Sequence, residues 1–599
     1  MTTLKEGCYM KRLLALLLTL CMLTGCAAAP QQAEQIPESQ PAESAPAETT
    51  PVTEVNTEEI SYVSRFDTVT EIHLSDDTIS VDGAGETETV YTSHDIIFYE
   101  NRDAYESGNP YGEGEDWEKH TQAEADSHKV VNITAPGAYR LTGKLSAGQI
   151  RVDLGEEAYN DPGAVVELIL NDADISCTVA PAIVFMNVYE CDGAWSADTA
   201  KSNVDTADAG ANLVLEGENT VTGSHVAKIF KDNDEEKKLW KQDGAIYSYM
   251  SMNVFGPGKL DLTADNEGLD TELHLTVNGG DIAIRSDNDG INTNEDGVSV
   301  TAINGGNLHI IAGLGAEGDG IDSNGYLVIN GGTVVSSANP GADAGLDSDL
   351  GSYINGGTVI ALGSTMDWAE SDSEQVTMNL QFAQNQSAEA AVVVTRADGT
   401  VIFAYDPGDD EVLAENRRVY SGAVISCGNF HVDETYHVYV DGEITGEDLG
   451  GIYDVTTVTD FSGGKQMAFT GTDVMIGPGG FGGQRPENFD PSKVPEGMQM
   501  GERPEKPEGE MPEGMEPPEG MEMDGRPEMP EDWEPREMTE DWEPGEMPEG
   551  MELPEDFDPS QIPEGGFGGK GQFSAQPGEA NTSFFMQDKV NFFSGLTNV

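Results

Sequence analysis

Four short stretches carry the residues best suited to chemistry: EGLD at 267–270, DGIN at 289–292, DGID at 319–322 and AGLD at 344–347. Asp270, Asn292, Asp322 and Asp347 hold one position of this repeat, and Glu267, Asp289 and Asp319 hold another, three residues earlier. Asp287, Asp343 and Asp349 lie close by. Bare carboxylates stacked about 5 Å apart repel by roughly 1 kcal/mol per pair in water and about 3 at an effective dielectric of 20, so stacking them alone gains nothing. Asp, Asn and backbone carbonyls gathered at glycine turns suit calcium, which takes about six to eight oxygens in flexible geometry. Asp and Asn are also ordinary turn residues; it is their periodic recurrence that favours a cation. The expected cofactor is calcium, held among Glu267, Asp270, Asp287, Asp289, Asn292, Asp319, Asp322, Asp343, Asp347 and Asp349.

Catalysis has weaker support. An inverting glycosidase needs two carboxyls about 6.5–9.5 Å apart around a sugar, and a chain this acidic supplies such a pair by chance. NTNEDG at 292–297 and DGID at 319–322 echo the first pieces of a polygalacturonase site, but no GHG and no matching Arg-x-Lys follow. A calcium-dependent lyase would need a basic residue as its base, and Arg285 alone lies between His274 and His309. A solvated side chain suits Arg285 better, and packed or surface positions suit the two histidines. No catalytic residue is assigned. Trp195, Trp240 and Trp368, near breaks in the repeat, are candidate platforms for stacking on sugar faces, with cap or core packing as the alternative.

The elements that position the acidic turns must repeat with them. Asn278-Gly279-Gly280, Asn304-Gly305-Gly306, Asn330-Gly331-Gly332 and Asn355-Gly356-Gly357 recur at 26, 26 and 25 residues. Strand-like segments such as LHLTV, DIAIRS, NLHIIAG, YLVIN and TVIALG fill the intervals. Such a period, built from strands and glycine turns, predicts stacked β-coils: an all-β parallel β-helix of about 25 residues per rung over residues 131–366. Asn278, Asn304, Asn330 and Asn355 are expected to stack their amides in a structural ladder. HVAKIFKDNDEEKKLW at 225–240 breaks the period, is locally basic and helical in character, and reads as an insertion over a rim. Residues 61–130 form an N-terminal β and loop region. Residues 374–475 carry hairpin signals and form a C-terminal β cap, which would protect the open end of the coil.

With 109 acidic against 30 basic residues and a net charge of −79, the chain repels nucleic acid and anionic lipid headgroups. Lys11 and Arg12 followed by LLALLLTLCML read as a secretory signal, too short to span a membrane, and Met10 makes a better start than Met1. The run ends in Leu23-Thr24-Gly25-Cys26, which resembles a bacterial lipobox; that resemblance makes 1–26 a lipoprotein signal and Cys26 the lipidated residue, anchoring the protein to the outer face of the cytoplasmic membrane. Residues 27–60 read as a disordered tether, and 477–578, with its repeated PEGM, as a long disordered acidic tail. The closing segment, 579–599, is expected as a β segment beside 453–464. Cys177 and Cys191 are compatible with either a disulfide or two buried thiols.

The run NITAPGAYRLTGKLSAGQIRVDLGEE, then VVELILNDADISCTVAPAIVF and the GLD, DGIN and DGID rungs, resembles the clostridial carbohydrate-binding β-helix lipoprotein family, whose studied member binds polygalacturonate and cellulose. The likeness spans about 130–365 in ordered motifs, and the PEGM tail and the 225–240 insertion depart from it. It implies a right-handed parallel β-helix, bound calcium and non-catalytic binding of a pectin-like or cellulosic polysaccharide at the cell surface. The other readings open at this stage are a β-helix polysaccharide lyase or hydrolase and a structural surface protein or adhesin.

Overall fold

The computed structural model describes residues 62–472 and 580–599, apart from 104–108, 194–195, 198, 231–237, 365–366, 411, 413 and 415. The signal segment with Cys26, the tether, the PEGM-rich tail and Trp195 lie outside the described residues. Strands dominate: the described helices are the single turn Gln122–Ala125 and two three-residue 3-10 segments, so the all-β expectation holds.

The chain adds strands in turn to three parallel ladders. The first ladder runs through Lys129–Ile133, Gly148–Asp153, Ile183–Asn187, Gly244–Ser248, Glu267–Thr271, Ile291–Thr293, Ile321–Ser323 and Leu346–Ser348. The second runs from Gly137–Leu145 and Val166–Ser176 through Ala211–Glu216, Met252–Phe255, Leu275–Val277, Val300–Ile303 and Tyr326–Ile329 to Gly351–Ile354. The third passes from Glu218–Gly223 through Lys259–Ala264, Asp281–Ser286, Asn307–Ile311 and Thr333–Ser337 to Thr358–Gly363. Inward side chains stack on their own kind. Leu269, Ile291, Ile321 and Leu346 are in register and fully buried, each contributing about 1.5–3 kcal/mol over an exposed position.

The Asn-Gly-Gly turns join the second ladder to the third. Asn304 Nδ2 donates to Asn278 Oδ1 at 2.9 Å, Asn330 to Asn304 at 2.9 Å and Asn355 to Asn330 at 3.0 Å. The backbone N–H of Glu374 donates to Asn355 Oδ1 and closes the column. At Gly332, φ is +80° and a Cβ would lie 2.5 Å from the Gly306 carbonyl oxygen, so both conformation and close approach require glycine. Gly332→Ala is therefore expected to cost about 2–3 kcal/mol, against about 1 kcal/mol for Asn330→Ala, whose amide is exposed. Urea unfolding measures both, and equal losses would refute this ranking of backbone over amide ladder.

Antiparallel strands cover the start of the first ladder and the end of the third. Val90–Ser93 pairs antiparallel with Lys129–Ile133 at one end, and Tyr420–Ser426 pairs antiparallel with Thr358–Gly363 at the other. The C-terminal strands also pack sideways: Ile311, Val335, Ile360 and Leu362, outward on the third ladder, share a core with Met378, Phe403, Tyr436 and Phe593. His309 is buried there, 3.4 Å from Asp410.

Two expectations are corrected. The 225–240 segment supplies two antiparallel strands rather than a helix, Val226–Phe230 and Lys238–Gln242, the former also paired with Tyr111–Glu113. The closing segment does not lie beside 453–464. Val590–Asn598 pairs with Thr377–Gln386 and Lys465–Ala468, and Phe584–Phe585 with Thr435–Val440.

Candidate functional site: an acidic grid on the first ladder

Strand register sets Asp270 opposite Asn292, Asn292 opposite Asp322, and Asp322 opposite Asp347. Glu267, Asp289 and Asp319 form a second column, because the flanking Leu269, Ile291 and Ile321 are paired. In that column Asp289 Oδ1 accepts the Asp319 N–H at 2.7 Å, and Asp319 Oδ1 accepts the Ala344 N–H at 2.5 Å. Each of these carboxylates thus commits one oxygen to holding the next rung. A third column, two residues beyond the first, contains Glu272, Asn294, Asn324 and Asp349. Asn294 Nδ2 donates to Asp270 Oδ1 at 2.5 Å and Asn324 Nδ2 to the Asn294 carbonyl at 2.9 Å.

Burial is graded along the grid. Glu267, Asp270 and Asn292 are 4%, 0% and 5% exposed, whereas Asp322 and Asp347 are half-buried and Asp349 is exposed. The strands Val226–Phe230 and Lys238–Gln242 precede the closed end and bring a cation to it. Lys241 Nζ lies 2.9 Å from Asp243 Oδ2, and its charge also acts on Glu267 and Asp270. Although burial opposes it, these carboxylates hold the ammonium well above its usual range.

One ammonium does not neutralise the grid. Burial, then the neighbouring Glu267, pushes Asp270 and Asp289 far above the ordinary carboxyl range. Burial with Asp347 and Glu267 raises Asp322 to about 7, and burial foremost raises Asp319 to about 8, with Asp347 and Asp322 adding to it. Glu267 Oε2, Asp270 Oδ2 and Asn292 Oδ1 are buried with no hydrogen-bond donor. Such atoms are costly unless satisfied. A proton shared by Glu267 and Asp270 would serve the two acids, while an oxygen-seeking cation would serve all three atoms. The donor set, carboxylate and amide oxygens with turn carbonyls, fits a hard cation. Among the described residues no group of three His, Cys, Asp or Glu stands in a closed metal-binding arrangement, so amide and carbonyl oxygens have to complete any shell.

Not every residue picked out in the sequence reaches the grid. Asp287 is exposed in the turn entering the first ladder, and Asp343 sits in another turn, accepting the Gly318 N–H at 2.9 Å. Arg285 is on the third ladder, 2.6 Å from Asp261. His274 is buried beside Asp192, and burial lowers its proton affinity. Trp368 packs half-buried on the main core, edge-on to Phe592 at 5.2 Å. Trp240 lies on the strand Lys238–Gln242 opposite Ile229. Cys177, Cys191 and Cys427 are free thiols. Lys241, Asp243, Asn294 and Asn324 were missed in the sequence. Extending the repeat by two residues finds the two asparagines, but no local signal points to Lys241. A separate concavity of about 320 Å³ lies between Phe98, Pro110 and Met186, where Arg151 is already tied to Asp95 and Asn132.

The parallel ladders thus present an oxygen-rich face that extends over several neighbouring strands. The chain belongs to the carbohydrate-binding domain-containing protein family, whose model matches residues 127–436, just over half of its length. A curated carbohydrate-binding domain-containing protein from Acetivibrio thermocellus is 30% identical over 161 residues, 27% of this chain and 46% of that relative. The chain thus matches less than half of the relative's length. A solved polysaccharide lyase-like protein from C. thermocellum, a gadolinium derivative, is 19% identical and aligns over 48% of this chain and 93% of its own, with a TM-score of 0.29. That likeness is too low to bear on fold or activity.

Proposed function

We propose that the chain is an exported, non-catalytic polysaccharide-binding protein, anchored by a lipid on Cys26 to the outer face of the cytoplasmic membrane, whose three ladders form a right-handed parallel β-helix. It holds acidic, pectin-like glycans or cellulosic ones, with calcium required for the acidic ones. The observation that carries this reading is the row of buried, donorless oxygens on adjacent rungs: Glu267 Oε2, Asp270 Oδ2 and Asn292 Oδ1. Calcium would supply positive charge where the protein and an acidic glycan otherwise repel. Glu267, Asp270, Asp289 and Asn292 would hold it at the closed end, where its role is to stiffen the rungs. Asp319, Asp322 and Asp347 would hold it at the open end, within reach of glycan carboxylates. The non-catalytic reading is supported by the placement of the basic residues, since Lys241 is kept protonated and Arg285 lies on another ladder.

The test is retention of the protein on insoluble polygalacturonate. In roughly millimolar calcium, a concentration at which extracellular sites of this kind fill, the column is expected to retain the chain, and chelator to release it. Asp322→Asn with Asp347→Asn is expected to weaken retention about tenfold without unfolding the protein. Retention that ignores both chelator and substitutions would remove the calcium bridge, and release of unsaturated or new reducing-end sugar would replace a binder with an enzyme.

A further inference from the structure

The outward face of the second ladder changes character along its length. In the middle rungs it is sealed: Thr206 Oγ1 donates to Asn253 Oδ1 and accepts from the Thr276 hydroxyl, each at 2.7 Å, and Asn253 and Thr276 are almost fully buried. In the last two rungs it carries two tyrosines. Tyr326 is in register with Val300 on one side and Gly351 on the other, while Tyr353 is opposite Val328. Their ring centroids are 6.2 Å apart with planes inclined at 48°. Both rings are half-buried and lie outside the hydrophobic cores.

The chain then makes one more pass over this face. Ser352 bridges Ala369, and the Glu370 N–H donates to the Ser352 carbonyl at 2.7 Å. By that parallel register Glu370 stands opposite Tyr353, and its side chain leans back across Gly351. A Cβ at Gly351 would fall 2.8 Å from Glu370 Cγ and Oε1, so the missing side chain is what lets the glutamate lie down beside the rings. Burial and then Asp372 raise the Glu370 carboxyl above its ordinary range. Burial, Asp372 and Glu370 push the Tyr353 hydroxyl up to about 12, so it remains a donor.

We propose that Tyr326, Tyr353 and Glu370 form a calcium-independent subsite for the neutral pyranoses of a 1,4-linked glucan. The rings present apolar faces to the C–H faces of sugars, and a carboxylate and a phenol beside them accept from and donate to hydroxyls. The ring centroids, 6.2 Å apart on neighbouring strands, are separated by a distance on the order of one sugar along such a chain, so the two rings meet adjacent sugars. Because the ring planes diverge, the subsite favours a single twisted chain over the flat face of a crystal. The inference rests on the polysaccharide-binding reading but not on its calcium bridge.

Titration calorimetry of the full chain with cellohexaose in chelator tests it. The wild type is expected to bind, Tyr326→Ala/Tyr353→Ala to bind about tenfold or more weakly, and Tyr326→Phe/Tyr353→Phe to stay within about threefold of wild type. Circular dichroism melts check that all three proteins are folded, and Glu370→Gln, which retains the shape of the column, offers a milder variant with an expected loss of about threefold. Wild-type affinity in the double alanine protein, or an equal loss in the double phenylalanine protein, would overturn the subsite. Calcium-dependent retention on polygalacturonate with no cellohexaose binding would overturn it while leaving the proposed function standing. Failure with both glycans would remove both.

Discussion

In chelator, the melting midpoint is expected to fall by about 10 °C between pH 5 and pH 8, and calcium at roughly 1 mM to remove most of that fall. The sign follows from the direction of the carboxyl shifts. Asp319 and Asp322 titrate at about 8 and about 7 in the fold against 3.8 when free, and Asp270 and Asp289 are displaced the same way. Over the interval from about pH 4 to pH 8 the folded chain therefore binds more protons than the unfolded one, and stability declines as pH rises. Asp322 alone, displaced from 3.8 to about 7, corresponds to about 4 kcal/mol, a value that relaxation of the half-open end reduces. A cation flattens the slope because it stabilises the same oxygens in their ionised state, competing with protons for them. Asp322→Asn sharpens the experiment: it copies Asn292 one rung on, relieves repulsion, and should raise the midpoint in chelator at pH 8 while shrinking the gain from calcium. A flat pH profile in chelator would mean that the grid relaxes its charges without proton or metal.

What the sequence revealed of this site depended on whether a feature repeats. Asp270, Asn292, Asp322 and Asp347 occupy one position of a fixed period, and once strands stack by that period their register is settled. The asparagine amides meet for the same reason. Asp287 and Asp343 show the limit of the argument, since nearness in sequence to a repeat position does not put a residue on the same face. Lys241 was illegible because it arrives on a strand whose partner sheet includes Tyr111–Glu113, far back in the chain. The charged, helix-forming residues of 225–240 suggested a helix, and strand pairing overrode that local propensity. Tyr326 and Tyr353 hold different positions of the repeat, one opposite Gly351 and the other opposite Val328, so no periodic column marks them. Which ring faces outward depends on register and on the glycine at 351, neither of which composition reveals.

Deleting residues 580–599 is expected to lower the melting midpoint by more than any single substitution considered above and to expose aggregation-prone edges. Val590–Asn598 fills the edge of Thr377–Gln386, the strand that together with Tyr420–Ser426 covers the end of the coil. Phe584, Met586, Phe593 and Leu596 are buried in the core that also covers the third ladder, and losing such side chains costs about 2–5 kcal/mol each when a neighbouring structure remains. Phe584, Phe593 and Phe469 stand with their centroids 4.8–4.9 Å apart in a three-ring cluster. An unpaired edge with an opened apolar core invites association with other chains. Phe469 bridges Asn581 and Gly471 bridges Ser594, so the chain leaves and re-enters the described residues at neighbouring points. Replacing 473–579 by a short Gly/Ser linker should therefore leave the midpoint within about 2 °C of wild type, while removing the last twenty residues should not. Equal melting of the two deletions, followed by calorimetry, would show that the closing strands add nothing to the cap, and the end of the coil would then have to be held by Tyr420–Ser426 alone.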